Sequence, residues 1–560
     1  MIWIAAQFQR LYIPLPACLP AFGKATQDMN STVAPLPAPP TAGKLPRQIP
    51  YIIGNEACER FSFYGMRNIL TPFLVTSLLL SAPLAERAGI AKEVFHTFVI
   101  GVYFFPLLGG WISDRFFGKY NTVFWLSLVY VAGHACLAMF EDNKTGFYTG
   151  LFLIALGSGG IKPLVSAFVG DQFDQTNKGK AKLVYDAFYW TINFGSFFAS
   201  LLMPIFLREY GASVAFGVPG LLMFIATVIF WMGRKKYVHV PPSPPNPHSF
   251  LNVARTALTR RAEGQSRPGL AVAGLGALLA LASLLLIPKM GFVIAVVLAL
   301  GFLIGFGGVG TSMQLERARG LHPDIAVDGV RAVLRILIVF ALVTPFWSLF
   351  DQKASTWILQ GNEMVMPHDS WWWPSWLVKE PAQMQALNPL LVMLLIPFNN
   401  IVLYPALRRF GVEPTALRRM GFGIAFSGVA WIVAGMLQLS LDGGDPVSIA
   451  WQIWPYLLLT FGEVLVSATG LEFAYSQAPQ AMKGVIMSFW FLSTTFGNLW
   501  VLMTNASVRN PAVISQIAST GLSETAFLMF FFAGFAFLAA LAFALYARSY
   551  PMQDHYRNAF

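Results

Sequence analysis

The chain has 560 residues, 56% of them hydrophobic and only 12% charged, with a mean hydropathy of +0.58 and a formal net charge of +11. A soluble globular chain carries about 25% charged residues, so the composition excludes an ordinary water-soluble domain and points to an all-α protein embedded in the lipid bilayer. Ten-residue segments of alternating hydrophobicity are missing, which excludes a transmembrane β-barrel.

In chain order, residues 1–49 are rich in Pro, Ala and Thr and read as a disordered or weakly structured arm. Its opening apolar stretch is broken by Pro14, Pro16 and Pro20, so it resembles neither a span nor a signal peptide, and Met29 is an alternative start. Six spans are expected at about 50–79, 93–113, 120–140, 147–169, 183–207 and 213–233, each near the ~20 residues a helix needs to cross the hydrocarbon core. A connector over 234–330 contains the Pro-rich run Pro241-Pro242-Ser243-Pro244-Pro245 and a two-helix hairpin at about 269–288 and 291–310. The hairpin spans carry essentially no ionisable group, which suits a lipid-facing accessory rather than a chemical site. Six further spans are expected at about 332–359, 385–407, 417–440, 449–477, 483–506 and 524–548, followed by a tail over 549–560. The expectation is fourteen spans arranged as six, two and six, with domains at 50–233, 234–330 and 331–548.

Basic residues gather in alternate loops: Arg47, then Lys178, Lys180 and Lys182, then Arg234, Lys235 and Lys236 with Arg255, Arg260, Arg261 and Arg267, then Arg408, Arg409, Arg418 and Arg419. The intervening loops are short and mixed or acidic, such as Glu141-Asp142. By the positive-inside rule the basic side and both termini face the cytoplasm. This distribution orients a membrane protein, so the positive charge is not read as a nucleic-acid surface. Three cysteines, Cys18, Cys58 and Cys136, form neither a disulfide framework nor a metal-ligand spacing.

Ionisable side chains inside a span are costly and face a partner or a cavity. On the first helix Glu56, Glu59, Arg60, Tyr64 and Arg67 lie at offsets that a 3.6-residue period puts on one face. Read alone, the stripe is either an internal salt-bridge ladder or part of a transport path.

Two six-helix halves with a midplane site between them are the layout of major facilitator transporters, and Gly110-Trp111-Ile112-Ser113-Asp114-Arg115-Phe116-Phe117-Gly118-Lys119 resembles the loop signature of that superfamily. The stripe itself, Glu56-Ala57-Cys58-Glu59-Arg60-Phe61-Ser62-Phe63-Tyr64-Gly65, resembles the E-x-x-E-R-F-x-Y-Y-G signature of the proton-dependent oligopeptide transporter family. Four further segments resemble motifs of the same family. They are Gly157-Ser158-Gly159-Gly160-Ile161-Lys162-Pro163 with Gly170-Asp171-Gln172-Phe173, Phe188–Ser196, Phe346–Gln352 and Gly470–Pro479. The resemblance covers about 50–550, and the extra hairpin is a feature of the family's bacterial members.

The resemblance implies a symporter in the inner (cytoplasmic) membrane that imports di- and tripeptides by alternating access. The proton is then the coupling ion, with no cofactor or metal, and the protein works as a monomer. The substrate carboxylate would be held by Arg60 and Lys162, guanidinium being suited to bidentate carboxylate binding. The ammonium would be held by Glu463 with Asn388 and Asn193, although either Asn could instead serve interhelical hydrogen bonding. Tyr64, Tyr103, Phe346, Trp347 and Trp490 match positions that line the family's pocket. Arg67 and Asp351 would close an outer gate that protonation of Asp351 weakens, while Glu56 and Glu59 hold Arg60 and pass the proton inward. His96 matches a histidine of animal members; a relay and a plain buried hydrogen-bonding role both fit.

Two departures stand out. Phe63 replaces a family Tyr, and Asn399-Asn400 replaces the acid that usually pairs with the base at Arg335. A proton symporter for nitrate or another small anion or metabolite is the alternative within the family. A non-transporting nutrient sensor is the alternative outside it, but the longest loop, about 35 residues, is small for an output domain. No clustered nucleophile, base or metal-ligand set supports an enzyme.

Overall fold

The computed structural model describes residues 45–551 apart from 175–176, 178–179, 243–245, 262–265, 369–370 and 478–481. The N-terminal arm to residue 44, Lys178, the Pro-rich tip of the connector, the Ala478-Pro479 end of one motif and the tail from 552 lie outside the described residues. What is described is helical, with two isolated β-bridges.

The first half comprises α1 (Ile49–Phe73), α2 (Leu84–Ile112), α3 (Gly118–Met139), α4 (Lys144–Asp171) and the 52-residue segment Ala181–Met232. That segment breaks at Gly211, whose φ of 83° only glycine adopts without strain, into α5 and α6. The hairpin is α7 (Pro268–Leu285) and α8 (Phe292–Met313). The second half comprises α9 (Asp324–Asp351), α10 (Leu387–Phe398), α11 (Ala416–Asp442), α12 (Ile453–Glu463), α13 (Lys483–Ser507) and α14 (Glu524–Ser549). The chain continues α10 and α12 through single π turns, Asn399–Leu403 and Val464–Ala468. Side-chain caps fix several starts: Asn143 accepts from the Gly146 N–H before α4, and Ser523 from the Ala526 N–H before α14.

Eleven helical segments among the described residues are long and apolar enough to cross a membrane. Two of these, Leu84–Met139 and Leu183–Met232, are 56 and 50 residues long and each joins two helices. α1 falls outside the eleven because its stripe of charge lowers its hydropathy. The count of fourteen thus rests on dividing the long segments and admitting α1.

Two boundaries and one added helix differ from the sequence reading. α2 starts at Leu84, nine residues before the expected span, because the segment holding Glu86, Arg87 and Lys92 is helical although too polar to read as membrane-spanning. α9 stops at Asp351; a 3-10 turn, Gln352–Ala354, and a separate helix, Thr356–Asn362, replace the expected continuation to 359. The connector also contains a short amphipathic helix, Phe250–Thr259, that buries Val253 and Ala257.

Each half has its own buried cluster, one built on α1 to α6 and the other on α9 to α14. A third, small cluster joins Ile100 of α2, Val297 of α8, and Leu499 and Leu502 of α13, so the hairpin leans on both halves while most of it stays exposed. In lipid, helices associate through close packing of small residues. The glycines of the α4 motif do this on two sides. A Cβ at Gly159 would lie 2.6 Å from the Phe105 backbone of α2, and one at Gly160 would lie 2.2 Å from the Leu126 side chain of α3. α4 is thereby wedged between α2 and α3, which sets the position of Lys162 one turn on.

Candidate functional site

The α1 stripe folds into two separate ion-pair groups. Arg60 Nε lies 2.6 Å from Glu56 Oε1 and 3.1 Å from Glu59 Oε2, with all three side chains buried. The Arg60–Glu56 contact is a hydrogen bond, whereas neither Glu59 oxygen accepts one. Lys162 Nζ lies 3.5 Å from the Phe63 ring centroid and 4.8 Å from that of Tyr103. The Phe63 replacement thus supplies a cation–π face to the neighbouring ammonium in place of a hydroxyl.

Two turns along α1, Arg67 Nη2 donates to Asp351 Oδ1 at 2.5 Å, joining the two halves. The second oxygen, Oδ2, accepts from Asn498 Nδ2 at 2.8 Å. Because that amide nitrogen faces a carboxylate, Asn498 Oδ1 must face His96 Nδ1, 2.6 Å away. His96 Nδ1 therefore carries the proton, and in neutral His96 Nε2 accepts from Ser355 Oγ at 3.0 Å. The result is a closed chain, Arg67–Asp351–Asn498–His96–Ser355, in which both imidazole nitrogens are engaged. Thr71 Oγ1, donating to the Ala354 carbonyl at 2.9 Å, seals the same level.

In the second half, Asn388 Nδ2 donates to Glu463 Oε2 at 2.5 Å and to Thr460 Oγ1 at 3.0 Å. Its Oδ1 accepts from Lys353 Nζ at 3.0 Å, and Lys353 also lies 3.2 Å above the Phe350 ring. Glu463 ends α12 where the π turn begins, a local widening common at functional positions. Trp490 stands edge-on to Trp347 at 5.9 Å and to Phe340 at 5.2 Å, and Gly470 leaves room for its ring. Tyr103 stacks on Phe491 across the halves at 6.3 Å, and Tyr64 stands edge-on to Phe63 at 5.3 Å.

The expected residues thus fall into four groups: Glu56, Glu59 and Arg60 with Lys162, Tyr64 and Tyr103 on the first half; Arg67, Asp351 and His96 at the junction; Asn388 with Glu463 on the second half; and Trp347 with Trp490 on the same half. Two do not take the expected place. Phe346 is 0% exposed and stacks on Phe350, within the buried cluster of the second half. Asn193 donates to the Tyr189 carbonyl of its own helix, not to another helix. Arg335 makes no ion pair among the described residues; Tyr546 donates instead to its carbonyl, and Asn399 is buried with neither amide atom bonded. Lys353, Ser355 and Asn498 were not foreseen. Lys353 and Ser355 follow the unforeseen helix break, and Asn498 carries no charge to draw notice.

These features define a class: a multi-pass membrane protein with the major facilitator fold and buried charge distributed over both halves. The model of the POT family matches residues 120–519, and the chain belongs to that family. A crystal structure of an auto-inhibited POT family peptide transporter shares 67% identity, with a TM-score of 0.88 over 92% of this chain and 99% of that one. The structure of the POT family transporter PepTSo shares 68% identity at the same TM-score, over 92% and 100%. Solute carrier family 15 member 2 of Mus musculus is 32% identical over 466 residues, covering 79% of this chain and 57% of its own. Peptide transporter 3 of Caenorhabditis elegans is 31% identical, covering 71% and 51%. The chain therefore spans little more than half the length of these curated relatives.

Proposed function

We propose that the protein is a proton-coupled symporter that imports di- and tripeptides by alternating access. The observation that carries this reading is the division of charge: Arg60 and Lys162 on the first half, Glu463 with Asn388 on the second. A zwitterion with its carboxylate and ammonium several ångströms apart fits across that division, and the aromatic side chains between leave its middle loosely defined. Relatives named as peptide transporters support the substrate class.

Arg67–Asp351 is the natural coupling element. Protonating Asp351 removes the charge that holds Arg67, and freeing the pair lets the halves separate at that end. The substrate-carboxylate role belongs to Arg60 once it turns from Glu56, and Glu59 takes the proton that Arg60 no longer balances. With the basic loops in the cytoplasm, the pair lies at the outer end of the bundle, both termini lie inside, and the membrane is the cytoplasmic one. The protein acts as a monomer with the proton as its coupling ion and no cofactor.

The test is uptake of a labelled dipeptide by proteoliposomes under an inward proton gradient, with amino acids and nitrate as competitors. Gradient-driven uptake inhibited by unlabelled dipeptide alone is the expected result. A folded preparation that shows none, or that takes up nitrate instead, would defeat the reading.

A further inference from the structure

Behind the Arg60 side of α1, Glu56 and Glu59 adjoin a polar column whose other members the transport scheme does not use. Ser62 Oγ of α1 meets His134 Nε2 of α3 at 2.9 Å. As the first and third of successive antiparallel helices, α1 and α3 run in the same direction, so this contact sets a register between them. Three residues back on α1 is Glu59 and four back on α3 is Tyr130, whose ring stacks on His134 at 5.2 Å and whose hydroxyl is within electrostatic range of Glu59. Seven residues back on each are Asn55, with Glu56 beside it, and Ser127. At about 1.5 Å rise per residue, these pairs form three successive tiers.

All seven residues, Asn55, Glu56, Glu59, Ser62, Ser127, Tyr130 and His134, are 0% exposed. Six of them carry a side-chain atom with no hydrogen-bond partner among the described residues: Asn55 Oδ1, Glu56 Oε2, both Glu59 oxygens, Ser127 Oγ, Tyr130 Oη and His134 Nδ1. A column serving only to pack would pair these atoms with one another or replace them with apolar groups. Instead the hydroxyls of Ser127 and Tyr130 supply donors, the carboxylates and the Asn55 carbonyl supply acceptors, and direct contact is not made. Water, which takes two to four polar partners in a buried polar site, is the small molecule suited to join such donors and acceptors.

We propose that the column is a file of water-binding sites between α1 and α3 through which Glu59 exchanges its proton on the side of α1 away from Arg60. The ionisable and charged groups around Glu59 are Glu56, Arg60 and Tyr64 on α1, Tyr130 on α3 and Lys162 on α4; His134 stands one tier away, against Tyr130 and Ser62, and α6 presents the Ala226 carbonyl, which accepts from Asn55. The file gives Glu59 a proton route that stays open when Arg60 and substrate occupy the other face. The substrate and the proton then leave by different paths.

The inference rests on the proposed symport, and two measurements keep the two claims separable. Tyr130→Phe keeps the ring on His134 and removes only the hydroxyl, and Ser127→Ala removes the neighbouring one. In proteoliposomes each lowers gradient-driven dipeptide uptake at least about fivefold while counterflow, which needs no net proton movement, stays within about twofold of the unsubstituted protein. Equal loss in both assays, or loss in neither, overturns the file; absence of all uptake by the unsubstituted protein instead defeats the symport reading. The second measurement is independent of transport. A high-resolution crystal structure showing ordered water bonded to Tyr130 Oη and His134 Nδ1 supports the file, and one showing Tyr130 bonded directly to Glu59 with no water in the column overturns it.

Discussion

At the scale of single residues, Asp351 has both of its carboxylate oxygens engaged. One oxygen takes Arg67 and the other takes Asn498, and through Asn498 it fixes the tautomer of His96. Removing one member of a buried ion pair costs about 3–5 kcal/mol because the other charge is left uncompensated. Asp351→Asn is therefore expected to abolish the pH dependence of dipeptide uptake, since an amide cannot change charge, while leaving measurable counterflow. Full gradient-driven uptake by this variant would show that the proton enters elsewhere. Lys353 makes a different prediction. Its ammonium reaches Glu463 through Asn388, so it occupies the electrostatic place a peptide ammonium would take. Lys353→Gln is expected to lower the half-saturating concentration of a free dipeptide several-fold and to leave inhibition by an N-acetylated dipeptide unchanged. An equal effect on both ligands would assign Lys353 to packing.

At the scale of elements, the buried charges of α1 were legible in the sequence because a charge inside an apolar run is conspicuous and a helix repeats every 3.6 residues. Lys353 and Ser355 were not. A helix assumed to continue to residue 359 places them by the wrong period, whereas the 3-10 turn after Asp351 turns Lys353 towards Asn388 and Ser355 towards His96. Asn498 was illegible for another reason: it is 147 residues from Asp351 and 402 from His96, and pattern within one helix cannot reveal a partner in another. Phe346 shows another limit of pattern, since matching a lining position does not reveal which way a ring packs. The crossing of α2 and α4 allows a sharp test of element packing. A Cβ at Gly109 would sit 2.2 Å from the Gly159 carbonyl oxygen, while one at Gly110 would meet nothing within 4 Å. Gly109→Ala is expected to destabilise the protein by about 1–3 kcal/mol and lower its melting temperature by a few degrees in detergent. Gly110→Ala should leave that temperature unchanged. Equal shifts would mean that α2 and α4 move apart freely.

At the scale of the molecule, the contacts that tie the halves together at the Arg67 end fall into two kinds. Arg208–Glu380 at 2.6 Å and Arg509–Glu93 at 2.7 Å lie at the rim with side chains between 28% and 55% exposed. Exposed pairs are worth about 0–1 kcal/mol and are screened by salt. Inside the rim, Gln383 is 1% exposed and uses its amide fully: its oxygen accepts from the Lys379 and Glu380 N–H groups, and its nitrogen donates to the Leu377 carbonyl and, across the halves, to the Leu201 carbonyl of α5 at 2.8 Å. Replacing it leaves several buried backbone groups unpaired, at about 1–3 kcal/mol each. The magnitudes therefore assign the closing force to the buried contacts and only alignment to the rim. With spin labels at Leu84 and Trp371, both exposed and on opposite halves, Gln383→Leu is expected to shift the distance distribution towards longer separations. Arg208→Ala at physiological salt should leave it nearly unchanged. The opposite order would place the closing force in the surface ion pairs and make closure strongly salt-dependent, which the buried geometry of Arg67, Asp351 and Gln383 argues against.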